Sequence, residues 1–416
     1  MDIETPISGV PGRLPVSGQL HRNVRLLTWF NFFLDFVPYA PIEIIYFSEI
    51  TGSYALGLSI FSVVTISSSL FEVPTGIFSD RIGRKRTMLL GSICKILAVV
   101  FYALGGSFLV LAMGALCEGI GRAFFSGNND ALLYDSLADR HQESLFPTYL
   151  GKTSSMFQMG LAFAALLGGF VASYSFKWVF WIAVIPQTIC AVISLFFVEP
   201  ERHRRESTNV FAHLREALRH FGANGKLRLL TIVSAVRNGV GETMWQFEPV
   251  FISMFWPTWA LGIVRFFSNI FAAGGFWYAG GIIKRFTALR VLVTNLLFNR
   301  IVGIVAFGFP TVLSPALLTV ASVFYGLGMT AQGTLLQREF TDHQRATLGS
   351  LNAFIGSLFF AVFAFLFGFI ADRIGATHSL LLGEFILLPL FWVFWRIFQH
   401  DRRRKSAMTG VGDGVR

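Results

Sequence analysis

The chain has 416 residues, 54% of them hydrophobic and 14% charged, where an ordinary soluble domain carries about 25% charged. With a mean hydropathy of +0.60 and 46 Phe, its apolar surface exceeds what soluble cores of this length enclose and has to face lipid, in stretches of about 20 residues. A soluble enzyme, a disordered chain and a nucleic-acid binder are excluded, and the net charge of +10 reads as a bias of the connecting loops.

Twelve apolar segments follow in series, near 24–47, 54–78, 87–105, 108–133, 150–172, 178–198, 228–252, 258–283, 289–308, 313–336, 347–371 and 377–398. Residues 1–23 ahead of them are polar, contain Gly and Pro, and do not read as a cleavable signal. Alternate loops of such a series should carry the Lys and Arg. The connection after the second segment holds Arg81, Arg84, Lys85 and Arg86, and the one after the sixth holds Arg202, Arg204, Arg205, Arg215, Arg219 and Lys226. Lys284 and Arg285 follow the eighth, with Arg290 close by, and the tail opens with Arg402, Arg403, Arg404 and Lys405. The odd-numbered connections hold only Lys177 and Arg373. This asymmetry predicts cytoplasmic termini and five regions: a tail (1–23), a six-span bundle (24–198), a linker (199–227), a second bundle (228–399) and a basic tail (400–416).

The first span reads FNFFLDFVPYAPIEIIYF, with Asp35 near mid-depth, Glu43 two turns further out, and Pro38 and Pro41 breaking the helical ladder between them. A charge in the hydrocarbon core faces a cavity or another charge, and an unpartnered carboxylate in a low-dielectric setting readily takes up a proton. No histidine lies deep in any span, so a proton site has to be carboxylate-based. Asp35 is the leading candidate. Asn31 and Glu43 are candidate cavity residues, and an acid reaching for the interface is the competing reading of Glu43.

Between spans two and three lies GIFSDRIGRKR, residues 76–86. As bare chemistry it is a tight turn with basic residues at the headgroups. In this place it resembles the signature loop of the major facilitator superfamily, G-x-x-x-D-R-x-G-R-K, which Gly76, Asp80, Arg81, Gly83, Arg84 and Lys85 match. The resemblance implies an all-α integral membrane fold of twelve transmembrane helices in two pseudo-symmetric six-helix bundles. It also implies alternating access around a midplane cavity and a cytoplasmic charge latch in this loop, which gives Asp80 and Arg84 a gating role. Internal duplication fits this: LLYDSLADRHQ (132–142) parallels LLQREFTDHQ (335–344), and Gly76–Ile82 parallels Gly280–Phe286 at an offset of 204. In the second copy Lys284 replaces the acid.

Span four contains GALCEGIGRAFFSGNNDALLYD, residues 114–135, with Glu118 and Arg122 at ion-pair spacing on one helix face. The segment resembles the family's R-x-x-x-G motif, tied to proton coupling, with Gly127 one residue late; a purely structural pair is the alternative. Asn128, Asn129, Asp130 and Asp135 read as half cavity wall, half helix end. Span five keeps the closing Gly168-Gly169 of the family's antiporter pattern but has Ala164-Ala165 for its Gly-Pro. In the linker, Phe211, Leu214, Leu218 and Phe221 recur at helical spacing with Arg215 and Arg219 between them, which predicts an amphipathic surface helix. Span seven, VRNGVGETMWQFEPVF, contributes Arg237, Glu242, Trp245 and Glu248 to the expected cavity. GFIADRIG (368–375) echoes the signature loop on the opposite side and reads as a coincidental turn.

Aromatic side chains near a few acids suit a lipophilic or cationic solute. The expected protein is a proton-coupled secondary transporter of the cell membrane that exports a small organic compound. Asp35, Glu118 and Arg122 form its coupling group, with Arg122 as the partner of Asp35. Import of a polar solute held by Arg122 and Arg237 is the alternative. The expected partners are a small-molecule substrate, protons and the bilayer, with the chain acting as a monomer. No cofactor, metal or nucleic acid is expected, since no P-loop, metal cluster or nucleophile motif is present. Cys94, Cys117 and Cys190 read as small apolar side chains.

Overall fold

The computed structural model describes residues 22–139, 141–200, 225–337 and 345–409. Its first span is two helices, α1 (Arg22–Leu34) and α2 (Glu43–Thr51). Pro38 and Pro41 lack the N–H groups a continuous helix needs, so the chain turns through 35–42 instead of kinking within one helix. The first half continues with α3 (Tyr54–Ile82), α4 (Arg84–Leu104), α5 (Phe108–Phe125), α6 (Asn128–Ala138), α7 (Phe146–Ala172) and α8 (Phe176–Phe196). The second half holds α9 (Gly225–Ile252), α10 (Thr258–Phe286), α11 (Ala288–Gly308), α12 (Ser314–Ala321), α13 (Val323–Gln337), α14 (Arg345–Ile374) and α15 (Ala376–Thr409). The basic run Arg402–Lys405 is helical, within the last helix. The predicted amphipathic linker helix lies outside the described residues.

Among the described residues, nine helices are long and apolar enough to cross a membrane. The other three expected spans are not among these nine. Span one is broken at its prolines, α9 carries Arg237, Glu242 and Glu248, and the part of α15 counted is the apolar stretch Ala376–Leu390. Outward faces carry exposed Phe170, Trp178, Ile185, Trp277 and Val362, a surface suited to lipid and, at helix ends, to headgroups.

The duplication reaches the backbone. Gly83 donates to the Ser79 carbonyl (3.0 Å) and its own carbonyl accepts from Thr87 (3.2 Å). Thr287, 204 residues later, donates to Ile283 (2.9 Å) and accepts from Val291 (3.1 Å). Both turn residues have positive φ, +99° and +69°, although a β-branched residue is rarely found there.

Inside the first half, Tyr39, Phe47, Tyr102 and Phe180 form a fully buried aromatic cluster, with Tyr39 stacked on Phe180 at 4.9 Å. The halves meet along two helix pairs. In one, α3 runs against α14, with Ser62 donating to the Ala361 carbonyl (3.3 Å) and Ser69 to Ser357 (2.9 Å). In the other, α7 meets α10: a Cβ on Gly169 would stand 2.7 Å from the Trp259 carbonyl and 2.8 Å from Gly262. The glycine of the antiporter-like pattern thus permits backbone-to-backbone approach between halves.

Candidate functional site

A cavity of about 570 Å³ lies between the halves, within the size range of small-molecule sites, about 300–1,000 Å³. The first half contributes Glu43 from α2, Phe61 from α3 and Arg122 from α5. The second contributes Arg237, Glu242, Trp245 and Glu248 from α9, Arg300 from α11 and Glu384 from α15.

At the first-half wall, Glu118 is almost enclosed, with 3% of its side chain exposed. Its carboxylate accepts from Lys95 Nζ (3.0 Å), the Tyr102 hydroxyl (2.9 Å), and Arg122 Nη2 (2.8 Å) and Nε (3.2 Å). The ion pair expected from the four-residue spacing is therefore formed, and Lys95 from α4 joins it. Two bases on one acid leave the group with a net positive charge. Arg122 keeps 57% of its side chain exposed, toward the cavity. The partner of Arg122 is Glu118, not Asp35 as expected. Asp35 follows the end of α1, its carboxylate has no hydrogen bond or ion pair among the described residues, and it feels the charges of Lys95, Arg122 and Glu118.

Three expected cavity residues lie elsewhere. Asn31 accepts from Asn129 (2.8 Å) and donates to the Thr153 carbonyl (3.3 Å), tying α1 to α6 and α7. Asn128 accepts from Ser79 (2.8 Å) and Arg84 (3.4 Å) and donates to the Arg84 carbonyl (3.3 Å). Asp130 is exposed on α6. Short amides at helix crossings satisfy backbone and side-chain groups there, which removes them from the wall.

In the signature loop, Arg84 Nε is 3.5 Å from Asp135, and Nη1 donates to Ser79 (2.9 Å). Glu199, unremarked in the sequence, caps α4 by accepting from the N–H groups of Arg84 (2.7 Å) and Lys85 (3.0 Å). A Cβ at Gly83 would sit 2.6 Å from that carboxylate, so space and positive φ both demand glycine. Gly76 faces open space and Arg81 is exposed. The side chain of Asp80 lies outside the described residues. The echo at 368–375 is more than the coincidental turn expected. Asp372 accepts from Ser53 Oγ (2.6 Å) and from the N–H groups of Tyr54 (2.6 Å) and Ala55 (3.2 Å), capping α3 across the boundary between halves.

At the second-half wall, Arg237 donates to Gln332, whose amide donates to Asn238 (3.5 Å). Arg300 Nη1 lies 2.6 Å from Glu384 Oε2. Glu242 accepts from Gln246 (3.0 Å). Arg265 lies 3.9 Å above the Trp245 ring and donates to the Trp245 carbonyl (2.8 Å). Lys95, Arg265, Arg300 and Glu384 were missed in the sequence. Each is a lone charge in an apolar run (ICKILA, GIVRFF, FNRIVG, LGEFIL), which is itself the signal of an intramembrane site.

A duplicated helical membrane protein with a charged cavity between its halves has the architecture of a secondary transporter. The family model of the Major Facilitator Superfamily matches residues 25–359, and the chain belongs to that family. It is 24% identical over 167 residues to the tetracycline resistance protein, class B, of Escherichia coli, a match covering 40% of each chain. It is 23% identical over 183 residues to multidrug resistance protein 2 of Bacillus subtilis, covering 44% of each. The chain thus spans about two-fifths of the length of these curated relatives. Among solved structures, a mutant of the nucleoside transporter NupG matches with a TM-score of 0.79 at 13% identity, over 90% of this chain and 100% of that one. A bacterial homolog of the human lysosomal transporter Spinster matches with a TM-score of 0.74 at 18% identity, over 92% and 99%. These likenesses establish the shared fold.

Proposed function

We propose that this transporter exports a small organic solute by alternating access, driven by protons, from the cell membrane with both termini in the cytoplasm. The observation that carries the reading is the cavity between the halves, with the acids Glu43, Glu242 and Glu248 and the ring of Trp245 on its wall. Acids and an aromatic face suit a solute with a positive charge. The names of the tetracycline and multidrug relatives support export of an organic compound.

The loop bias in Lys and Arg supports an outward position for the end that carries Ser53, Trp259 and Asp372. The cross-half contacts at that end then describe an outwardly closed conformation. Asp35 is the proton site in this reading. Its unpartnered carboxylate sits at the break after α1 beside the Lys95–Glu118–Arg122 group, so protonation changes the local charge where the helix can bend. Asp80 and Arg84 act in the inner latch.

The test uses purified protein in vesicles with an imposed pH gradient and ethidium as a cationic solute. Ethidium is expected to accumulate in inverted vesicles with an acidic interior, and Asp35→Asn is expected to abolish accumulation while leaving binding measurable. Full gradient-driven accumulation in Asp35→Asn would remove Asp35 from coupling and turn attention to Glu242 and Glu248. Accumulation only in the opposite orientation would favour import, the reading in which Arg122 and Arg237 hold a polar solute.

A further inference from the structure

We propose that the cavity is bipolar and that its solute is amphoteric, with an acidic group for Arg237 and Arg300 and a basic group for Glu43 and Glu248 on an apolar body. The proposal rests on the transporter reading above and specifies its substrate.

The second-half pole is built from donors that the protein answers only in part. Arg237 donates to the neutral Gln332 and forms no ion pair among the described residues, and the charge it feels most is the like charge of Arg300. Arg300, with 15% of its side chain exposed, lies against Glu384, yet its Nε and Nη1 make no aligned hydrogen bond. Asn295, behind this wall and not on it, is buried and its amide nitrogen also lacks an acceptor. Gly328 leaves the room for this: a Cβ there would stand 2.9 Å from Arg237 Nη2. Buried donors without acceptors are costly, and a carboxylate or similar oxyanion answers guanidinium donors with short, strong bonds. Because Glu384 neutralises Arg300, the uncompensated positive charge at this pole is that of Arg237.

Glu43 and Glu248 present the opposite deficit. Neither carboxylate has a hydrogen bond or ion pair among the described residues, and Arg265, the base nearest in effect to Glu248, is held over Trp245. Both acids line the cavity and accept an ammonium group. The rest of the wall includes Phe61, Met244, Phe307 and Phe360, which suit an apolar body. A lipophilic cation alone would fill the acidic pole and leave Arg237 unanswered. Sites built to pair a polar group discriminate strongly against ligands that lack it.

The experiment compares three probes of one shape on the full-length protein in nanodiscs: 4-(aminomethyl)benzoate, benzylamine and benzoate. Equilibrium binding is read by intrinsic tryptophan fluorescence. The amphoteric probe is expected to bind at least about tenfold more tightly than either singly charged one. Arg237→Gln is expected to lower its affinity to that of benzylamine, and Glu43→Gln combined with Glu248→Gln to that of benzoate, while Arg237→Lys retains the preference. Equal binding of a singly charged probe, an equal loss of all three in Arg237→Gln, or no binding of any probe would overturn the proposal. Ethidium accumulation that persists beside such a result leaves the transporter reading standing and removes only the bipolar site.

Discussion

Glu118 shows how much one residue holds together. Lys95 and Glu118 keep only 7% and 3% of their side chains exposed, and removing one member of a buried pair costs about 3–5 kcal/mol, because the other charge is left uncompensated. Glu118→Gln is therefore expected to lower the melting temperature of the purified protein substantially, and adding Lys95→Met should recover much of the loss. An unchanged melting temperature in the single variant would contradict the arrangement. The pairing of Glu118 with Arg122 was legible in the sequence because four residues make one helical step. Lys95 was not, because it approaches from α4, and spacing along one helix carries no information about what a neighbouring helix presents. Asn31 and Asn128 failed for the same reason: an amide near a cavity-bearing segment reads the same whether it faces the cavity or a helix crossing.

At the scale of elements, apolar periodicity and loop charge delimited the helices well, and the prolines of span one marked its break. What the sequence concealed was how helix ends meet. GFIADRIG looks like a stray copy of the signature loop until the end of α14 is seen beside the start of α3, where Asp372 caps a helix of the other half. The arrangement mirrors the signature loop, since both place an Asp near the end of a helix in the pair α3 and α14. A side-chain cap contributes about 0.5–2 kcal/mol, enough to shift a two-state equilibrium by roughly 2- to 30-fold. Asp372→Asn is accordingly expected to open the Ser53 end more often, raising the rate at which a thiol reagent reaches a cysteine placed at Tyr54. An unaltered labelling rate would reduce Asp372 to a local cap with no part in closure. Gly83 and Thr287 carry a further lesson: the two turns match at an offset of 204 although one holds a residue ill-suited to positive φ. Repeat symmetry here is a property of the backbone, only half visible in the residues.

For the whole molecule, the family and the two-bundle architecture were legible because membrane burial constrains every span in the same way. The character of the cavity was not. The sequence pointed to an aromatic pocket with acids and with Arg122 and Arg237 as an alternative pair, whereas the assembled wall also brings Arg300 and Glu384 to it. Which charges converge is decided by helix rotation and crossing, and neither leaves a mark in a linear pattern. The central claim is that the halves close alternately over this cavity. It is tested most directly by electron–electron distance measurements on two spin-labelled pairs in nanodiscs, Glu49→Cys with Phe309→Cys at the Ser53 end and Arg86→Cys with Arg285→Cys at the signature-loop end. The account predicts that acidification with solute lengthens the first distance while it shortens the second; two distances that stay fixed, or that lengthen and shorten together, would contradict it.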